Sequence, residues 1–188
     1  MTLSSEMSAR EVIEALDLAP LPKEGGFFRE FFRSDLKMAD TSQFKTEQPR
    51  ALCAEAYFLL TKDQKSKLHR LDCDEVWHFQ AGGDVEMVQI PSNFESNSSS
   101  QPLNLNTQFK YAGISSRDQD KNESSIKAVN PTLIVPRNSW QGARLISGPW
   151  ALFTLTTSPG FEFEACEFPN ESLKAELCNY DSRIESFF

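Results

Sequence analysis

The chain has 188 residues, of which 39% are apolar and 11% aromatic, enough to build the core of one sizeable domain. Its formal charge of -8 disfavours nucleic acid or an anionic membrane as the main partner, because both require a basic surface. No run approaches the ~20 apolar residues of a membrane-spanning helix, and the first ten residues lack the layout of a secretory signal. We therefore expect a soluble, cytoplasmic protein with no nucleic-acid partner and no membrane partner.

A short amphipathic helix is predicted over residues 9–18. Its apolar residues recur at helical spacing, Ser8 stands at the N-cap, and Glu11 occupies the capping-box position three residues later. Pro20 and Pro22 end the helix, and two glycines then predict a turn. Residues 1–22 are therefore expected to form an N-terminal helix and linker.

The next predicted element is a strand at residues 27–33, in which aromatic and charged residues are interleaved. An edge strand this aromatic promotes aggregation unless something covers it. A second copy of the chain is the simplest cover, so we expect a homodimer in which this strand joins the partner subunit. Residues 36–50 are polar and predict a loop.

From residue 51 onward, short strand-like runs alternate with turn residues. These runs are residues 54–60, 67–71, 75–80, 85–90, 107–114, 125–129, 132–135, 142–146, 150–157 and 161–168. Many short strands behind one helix favour an antiparallel sandwich or barrel over a parallel α/β sheet. Residues 92–101 and 115–124 predict exposed loops, and residues 171–179 a last short helix before a loose tail.

Cysteine and histidine usage limits the possible chemistry. The four cysteines are scattered without a C-x-x-C pair, which is typical of free thiols. There are only two histidines, His69 and His78. Any mechanism that needs an imidazole must use one of them.

The segment that begins at His69 resembles the first motif of the cupin superfamily, H-x-H-x(3,4)-E-x(6)-G. His69, Glu75 and Gly82 stand at matching positions, whereas Leu71 replaces the second histidine. Residues 136–141 resemble the second motif, P-x-G-x-x-H, with Gln141 in place of its histidine and asparagine in place of its glycine.

Four further stretches are similar to the Cupin-5 family, a domain of unknown function: E-G-G-F-F-R-E at 24–30, D-E-V-W-H-F at 74–79, V-P-R-N-S-W-Q at 135–141 and S-P-G-F-E-F-E at 158–164. The resemblance runs from about residue 8 to residue 168. It implies a mainly all-β cupin jelly-roll β-barrel, or double-stranded β-helix, with a short N-terminal helix, and a homodimer. We place the cupin domain at residues 23–170 and a C-terminal tail at 171–188.

A more distant likeness is to the dTDP-sugar 3,5-epimerases, which are cupins without a metal. Their R-G-F-F-x-E stretch resembles residues 25–30, where Gly25 replaces the arginine. In those enzymes a histidine at the position of His69 is the general base. The S-x-K-D motif that supplies its acidic partner is not found in this sequence.

Convergence of side chains inside a barrel predicts the centre of the site. Antiparallel strands point alternate side chains inward, so His69, Glu75 and Gln141 are expected to meet, with His69 and Glu75 as catalytic residues. Cupins hold a metal with three histidines and one glutamate, and Leu71 cannot be a ligand. We therefore expect no cofactor, although a weakly held divalent metal on His69, Glu75 and Gln141 is possible.

Other residues are expected to contact a ligand because they are aromatic or polar and lie on the predicted barrel strands. They are Phe28, Glu30, Tyr57, Trp77, His78, Phe79, Trp140, Gln141 and Phe161. Strict alternation places His78 on the face opposite Glu75, so His78 joins the pocket only if a β-bulge shifts the register. A buried Glu75 needs a partner, for which Arg29, Arg144 and a metal are the candidates.

Three functions remain open at this point. The first is an isomerase-, epimerase- or lyase-like enzyme that uses His69 and Glu75 as an acid–base pair on a polar, sugar-like or keto-acid ligand. The second is a binding protein that uses the same pocket without catalysis. The third, a metal-dependent oxygenase, is disfavoured by Leu71 and Gln141.

Overall fold

In a computed structural model, the residues described are 7–92, 108–112 and 130–188. The predicted loops at 93–101 and 115–124 and the predicted strand at 125–129 lie outside these ranges. Helix α1 spans Ala9–Leu16 and α2 spans Glu171–Tyr180. Twelve strands are described: β1 (Ala19–Pro20), β2 (Phe27–Arg33), β3 (Lys37–Met38), β4 (Arg50–Ala51), β5 (Ala54–Thr61), β6 (Ser66–Arg70), β7 (Asp74–Gly82), β8 (Val85–Ile90), β9 (Gln108–Ala112), β10 (Thr132–Val135), β11 (Trp140–Leu145) and β12 (Trp150–Ser158).

Ten of these strands form two antiparallel sheets that pack face to face as a jelly-roll barrel. The larger sheet has the order β1-β2-β5-β12-β7-β10, and the smaller one β6-β11-β8-β9. The main core lies between them and is built from inward side chains such as Phe58, Trp77, Met87 and Phe153. The mainly β fold expected from the sequence is confirmed.

Helix α1 covers part of the outer face of the larger sheet. Ser8 and Glu11 form the predicted capping box, and Val12 is fully buried against Leu59 and Trp150. Burial of this apolar stripe stabilises a helix that is too short to be stable alone.

The C-terminal segment closes the outer face of the smaller sheet, so the expectation of a loose tail is wrong. After α2, a 3-10 helix at Ser182–Phe187 buries Ile184 and Phe187 completely. They pack against Val88 and Trp140 on the outward side of the sheet. The apolar surface that they remove from water holds the tail in place.

The predicted strand at 161–168 is also wrong, because this segment forms a 3-10 turn at Phe163–Ala165 and only an isolated bridge between Arg70 and Glu167. Its backbone hydrogen bonds go elsewhere. Phe161 N donates to Thr157 Oγ1, and Gly160 O accepts two hydrogen bonds from the Arg50 guanidinium. These side-chain bonds replace a strand ladder.

Strand β2 lies within the chain's own larger sheet, between β1 and β5. Because β1 pairs only with Phe27 and Phe28, residues 29–33 form an open edge in the part of the chain that is described. Phe31 and Phe32 on this edge are 40% and 48% exposed.

Candidate functional site

A cavity of about 520 Å³, counted to its open mouth, lies between the two sheets. Strand β6 forms one side, and strands β2, β5, β7 and β12 form the other. Its apolar walls include Leu21, Phe28, Phe58, Leu71, Leu155 and Phe161. Its polar lining includes Glu24, Glu30, His69, Glu75 and Thr157. Apolar walls with a few convergent polar groups are the usual character of a small-molecule site.

His69 points into the cavity because β6 alternates its side chains between the two faces of the smaller sheet. Leu68 packs under the C-terminal segment, whereas His69 faces inward and is 2% exposed. Its Nδ1 lies 2.8 Å from Lys67 O, and a carbonyl can only accept, so Nδ1 carries the proton. In the neutral ring, Nε2 therefore presents a lone pair toward the site.

Glu75, at the start of β7, is a buried carboxyl group with no lysine or arginine partner among the residues that the structure describes. One of its oxygens, Oε2, accepts hydrogen bonds from Trp77 Nε1 at 2.8 Å and from Gln141 Nε2 at 2.6 Å. Burial raises the pKa of Glu75 above its ordinary value, more than the nearby His69 and these hydrogen bonds lower it. This raised pKa favours a protonated Glu75 that can donate a proton.

Neither arginine considered as a partner of Glu75 reaches it. Arg144 pairs with Glu86, and Arg29 lies 5.6 Å from the centre of the Tyr57 ring. The partners of Glu75 are neutral groups instead, which is why burial dominates its pKa.

Gln141 connects the two predicted catalytic residues. It lies opposite His69 in the β6–β11 pairing, and its Nε2 is 3.4 Å from His69 Nε2 while it donates to Glu75. Its Oε1 is buried without a hydrogen-bond partner among the described residues. His69, Glu75 and Gln141 are thus brought together, as the sequence predicted.

Glu24 is a site residue that sequence reasoning did not select. Ser66 Oγ donates to Glu24 Oε1 at 2.7 Å, and Glu24 Oε2 lies 3.8 Å from His69 Nε2. The turn that places it requires a glycine at position 25, where φ is +99° and a Cβ would lie 2.4 Å from Lys65 O. The E-G-G-F-F-R-E stretch carried this signal, since Glu24 precedes its paired glycines.

Among the other predicted ligand contacts, Phe28, Glu30 and Phe161 line the cavity. The Glu30 carboxylate is held at the mouth by Arg33, which donates to both of its oxygens. Trp77 reaches the site only through its hydrogen bond to Glu75 and otherwise packs in the core.

The remaining four predicted contacts do not line the cavity. Tyr57 and His78 occupy outward positions of the larger sheet, and Phe79 packs beside Phe153 in the core, 5.6 Å between ring centres. The register shift in β7 falls after Phe79, so it does not turn His78 inward. Trp140 and Gln141 are neighbours on β11, so their side chains point to opposite faces of the smaller sheet. Gln141 points into the barrel, and Trp140 therefore points outward, where it packs beneath Arg70.

The donor set does not fit the metal centre of a cupin. Leu71 lines the cavity at a position where cupins carry a histidine, and Gln141 turns an NH2 group, which has no lone pair to share, toward Glu75. Within the described ranges, no group of three or more histidine, cysteine, aspartate or glutamate side chains could hold a metal ion. We therefore derive no chemistry through a metal.

Two thiols near the site are hard to ionise, because burial first and the charge of nearby Glu75 with it raise the pKa of Cys73 and Cys166. All four cysteines are free, and burial raises the pKa of Cys73 to about 12. A thiol so hard to ionise is a poor nucleophile.

No helix in the described part of the chain is both long and apolar enough to cross a membrane.

Comparison with known proteins places this barrel in a family. The family model described as "Cupin superfamily (DUF985)", Cupin_5, matches residues 10–169, so the chain belongs to this family. No curated protein matches it. The fold is thereby that of a cupin.

Solved structures share the fold over nearly the whole chain. A hypothetical protein from Leishmania major has a TM-score of 0.72 at 22% identity, covering 95% of this chain and 96% of that one. A protein from Shewanella oneidensis has a TM-score of 0.67 at 26% identity, covering 95% and 94%. A cupin 2 conserved barrel domain protein from Rhodopseudomonas palustris has a TM-score of 0.55 at 13% identity, covering 91% and 88%.

Proposed function

We propose that this cupin is an acid–base enzyme of the isomerase or epimerase kind, acting without a metal on a small polar molecule in the barrel cavity. One observation carries the proposal: the Nε2 lone pair of His69 and the raised pKa of Glu75 occur at the same cavity. Two groups whose environments favour opposite protonation states are the usual basis of acid–base catalysis.

The proton movements follow from these two states. His69 Nε2 takes a proton from an acidic C–H bond, and the electron pair moves to an adjacent carbonyl oxygen. Glu75 donates its proton to that oxygen. The enol then turns in the cavity, His69 returns its proton to the opposite face of the same carbon, and the oxygen's proton returns to Glu75, which gives the epimer and restores both residues.

A second candidate is a binding protein that performs no reaction. The arrangement of Gln141 favours this alternative, because one NH2 group contacts both His69 Nε2 and Glu75 Oε2. A ligand must displace this contact before protons can move. If the ligand leaves the Gln141 contact in place, the cavity binds the ligand without catalysing a reaction.

Hydrogen–deuterium exchange in D2O distinguishes the two functions. A panel of sugars, amino sugars, nucleotide sugars and keto acids is incubated with the protein and followed by NMR. An acid–base enzyme introduces deuterium at one carbon, and His69→Ala or Glu75→Gln slows this by roughly 10²-fold or more. A binding protein gives no exchange, and the same variants weaken affinity by about 1–3 kcal/mol.

His78→Ala is the matched control, because it removes the chain's other imidazole from the outer face of the barrel. It should leave both exchange and affinity unchanged. Equal losses in His78→Ala and His69→Ala, or no loss in either site variant, would contradict the proposal.

A further inference from the structure

The inner end of the cavity holds two buried carboxyl groups and no lysine or arginine among its described lining residues. Glu75 has neutral hydrogen-bond partners. Glu24 is 6% exposed, and its Oε2 is 3.8 Å from His69 Nε2, too far for a hydrogen bond. Burial of a carboxylate without a close cation is costly, so a positively charged ligand would relieve it.

The ring and amide N–H donors at this end are already used. His69 Nδ1 donates to Lys67 O, while Trp77 Nε1 and Gln141 Nε2 both donate to Glu75. Beside the hydroxyl of Thr157 and the carboxyl group of Glu75, two acceptors are left over: Glu24 Oε2, and His69 Nε2 with only its 3.4 Å contact to Gln141. A ligand that matches them must bring N–H or O–H donors.

Among the described residues at the mouth of the cavity, no arginine or lysine is free to meet an anionic ligand. Arg33, which stands beside the cavity, is paired with Glu30 and Glu162 and also donates to Phe161 O. A carboxylate or phosphate in the cavity would therefore meet the Glu24 carboxylate without a compensating positive charge. The aromatic walls, in contrast, favour a ligand whose main part is apolar, and the faces of their rings can accept a nearby cation.

We propose that the cavity binds a small molecule that carries a protonated primary amine on a compact, partly apolar body, and that Glu24 recognises the amine. The inference rests on the proposed function only in using the same cavity. An ammonium group has three N–H donors, which can satisfy Glu24 Oε2 and His69 Nε2 together. An amino sugar is one ligand of this class; simple keto acids and nucleotide sugars are outside it.

Three probes of nearly equal size test the charge preference: benzylamine, benzyl alcohol and benzoate. Each is titrated into the full chain and followed by ¹H–¹⁵N NMR. We expect benzylamine to bind at least about tenfold more tightly than benzyl alcohol, and benzoate to give no saturable shifts up to about 10 mM. The shifts caused by benzylamine should centre on Glu24, His69 and Glu75.

Glu24→Gln keeps an oxygen for the Ser66 hydroxyl and removes only the charge. It should weaken benzylamine about tenfold and change benzyl alcohol less than about twofold. Glu14→Gln makes the same change on the exposed face of α1 and should alter neither. The wild-type comparison of the three probes decides the charge preference even if Glu24→Gln fails to fold.

The outcomes separate this inference from the proposed function. If benzoate or benzyl alcohol binds as tightly as benzylamine and shifts His69 and Glu75, the amine preference is wrong and the site stands. If no probe binds, the amine preference is also wrong. If benzylamine binds but shifts only residues outside the cavity, both proposals are wrong.

Discussion

Gln141 Nε2 donates to Glu75 Oε2 at 2.6 Å, so a neutral amide on β11 holds a buried carboxyl group on β7. The two strands belong to different sheets, and this bond joins the sheets at the base of the cavity. The amide orients the carboxyl group without contributing a positive charge. Glu75 therefore keeps the raised pKa that its burial produces.

Replacement of Glu75 by glutamine should stabilise the protein at neutral pH. The folded state binds the proton of Glu75 more tightly than the unfolded state does, because the pKa of Glu75 is raised in the folded protein. The protonated Glu75 therefore makes its whole contribution to the free energy of unfolding below the ordinary pKa of 4.5. This contribution is lost as pH rises through the folded-state pKa. The side-chain oxygen of Glu75→Gln can still accept from Trp77 and Gln141. Its stability advantage over wild type should thus grow with pH.

Urea unfolding of both proteins between about pH 4 and about pH 8 measures this difference. Glu14→Gln, on the exposed face of α1, should not change the pH slope. An advantage of Glu75→Gln that stays constant, or shrinks as pH rises, would show that Glu75 does not carry a raised pKa.

Arg50 and Asp72 form a buried ion pair that should be essential for stability. Arg50 Nη1 lies 2.6 Å from Asp72 Oδ1, with side chains 1% and 2% exposed, and Arg50 also holds Gly160 O beside the cavity. Arg50→Met leaves the Asp72 carboxylate buried without its cation. We expect a loss of about 3–5 kcal/mol in the free energy of unfolding, measured in urea.

The control is Arg10→Met, in which the pair with Glu14 is exposed on both sides. It should change stability by less than about 1 kcal/mol. Similar losses for the two variants would mean that burial of the Arg50–Asp72 pair adds nothing to its importance.

A homodimer that covers the open edge of β2 remains a prediction. On the side of β2 that faces away from β5, no described strand pairs with residues 29–33, and Phe32 is exposed beside them. Light scattering at micromolar concentration should give the mass of two chains, and Phe32→Glu should shift the protein toward the monomer. Tyr180→Glu, on α2, should remain a dimer; a monomeric wild type would contradict the prediction.

No tightly held transition metal should survive purification. With Leu71 at one ligand position and Gln141 at another, divalent ions should bind weakly and exchange freely. Elemental analysis of protein prepared without a chelator should find far less than one ion per chain. Stoichiometric zinc, iron or nickel that disappears in His69→Ala would contradict this.

Much of the fold could be predicted because local sequence patterns indicate where its helices and strands begin and end. Alternation and turn residues gave β2, β8 and β10 their bounds, and Ser8 with Glu11 marked the start of α1. The C-terminal 3-10 helix could not be predicted, because its buried residues Ile184 and Phe187 pack against a sheet that is far away in sequence.

The site was predictable where residues lie on strands and not where they lie on turns. His69, Glu75 and Gln141 converge because alternation and motif spacing agree. Trp140 was predicted to contact a ligand but faces outward. The predicted strand began at residue 142, two residues after the observed start, so alternation along the strand could not show which way Trp140 points. Glu24 lies in a turn, where no periodicity signals which way a side chain points.

NMR of the two histidine side chains tests the central claim most directly, that His69 presents a basic Nε2 to a cavity shared with Glu75. His78→Ala assigns the signals. The neutral His69 ring should show the Nδ1–H tautomer, and its ¹⁵N shifts should follow an ionisation of Glu75 that has a raised pKa and is absent in Glu75→Gln. An Nε2–H tautomer, or ¹⁵N shifts of His69 that show no ionisation of Glu75 in wild type, would contradict the account.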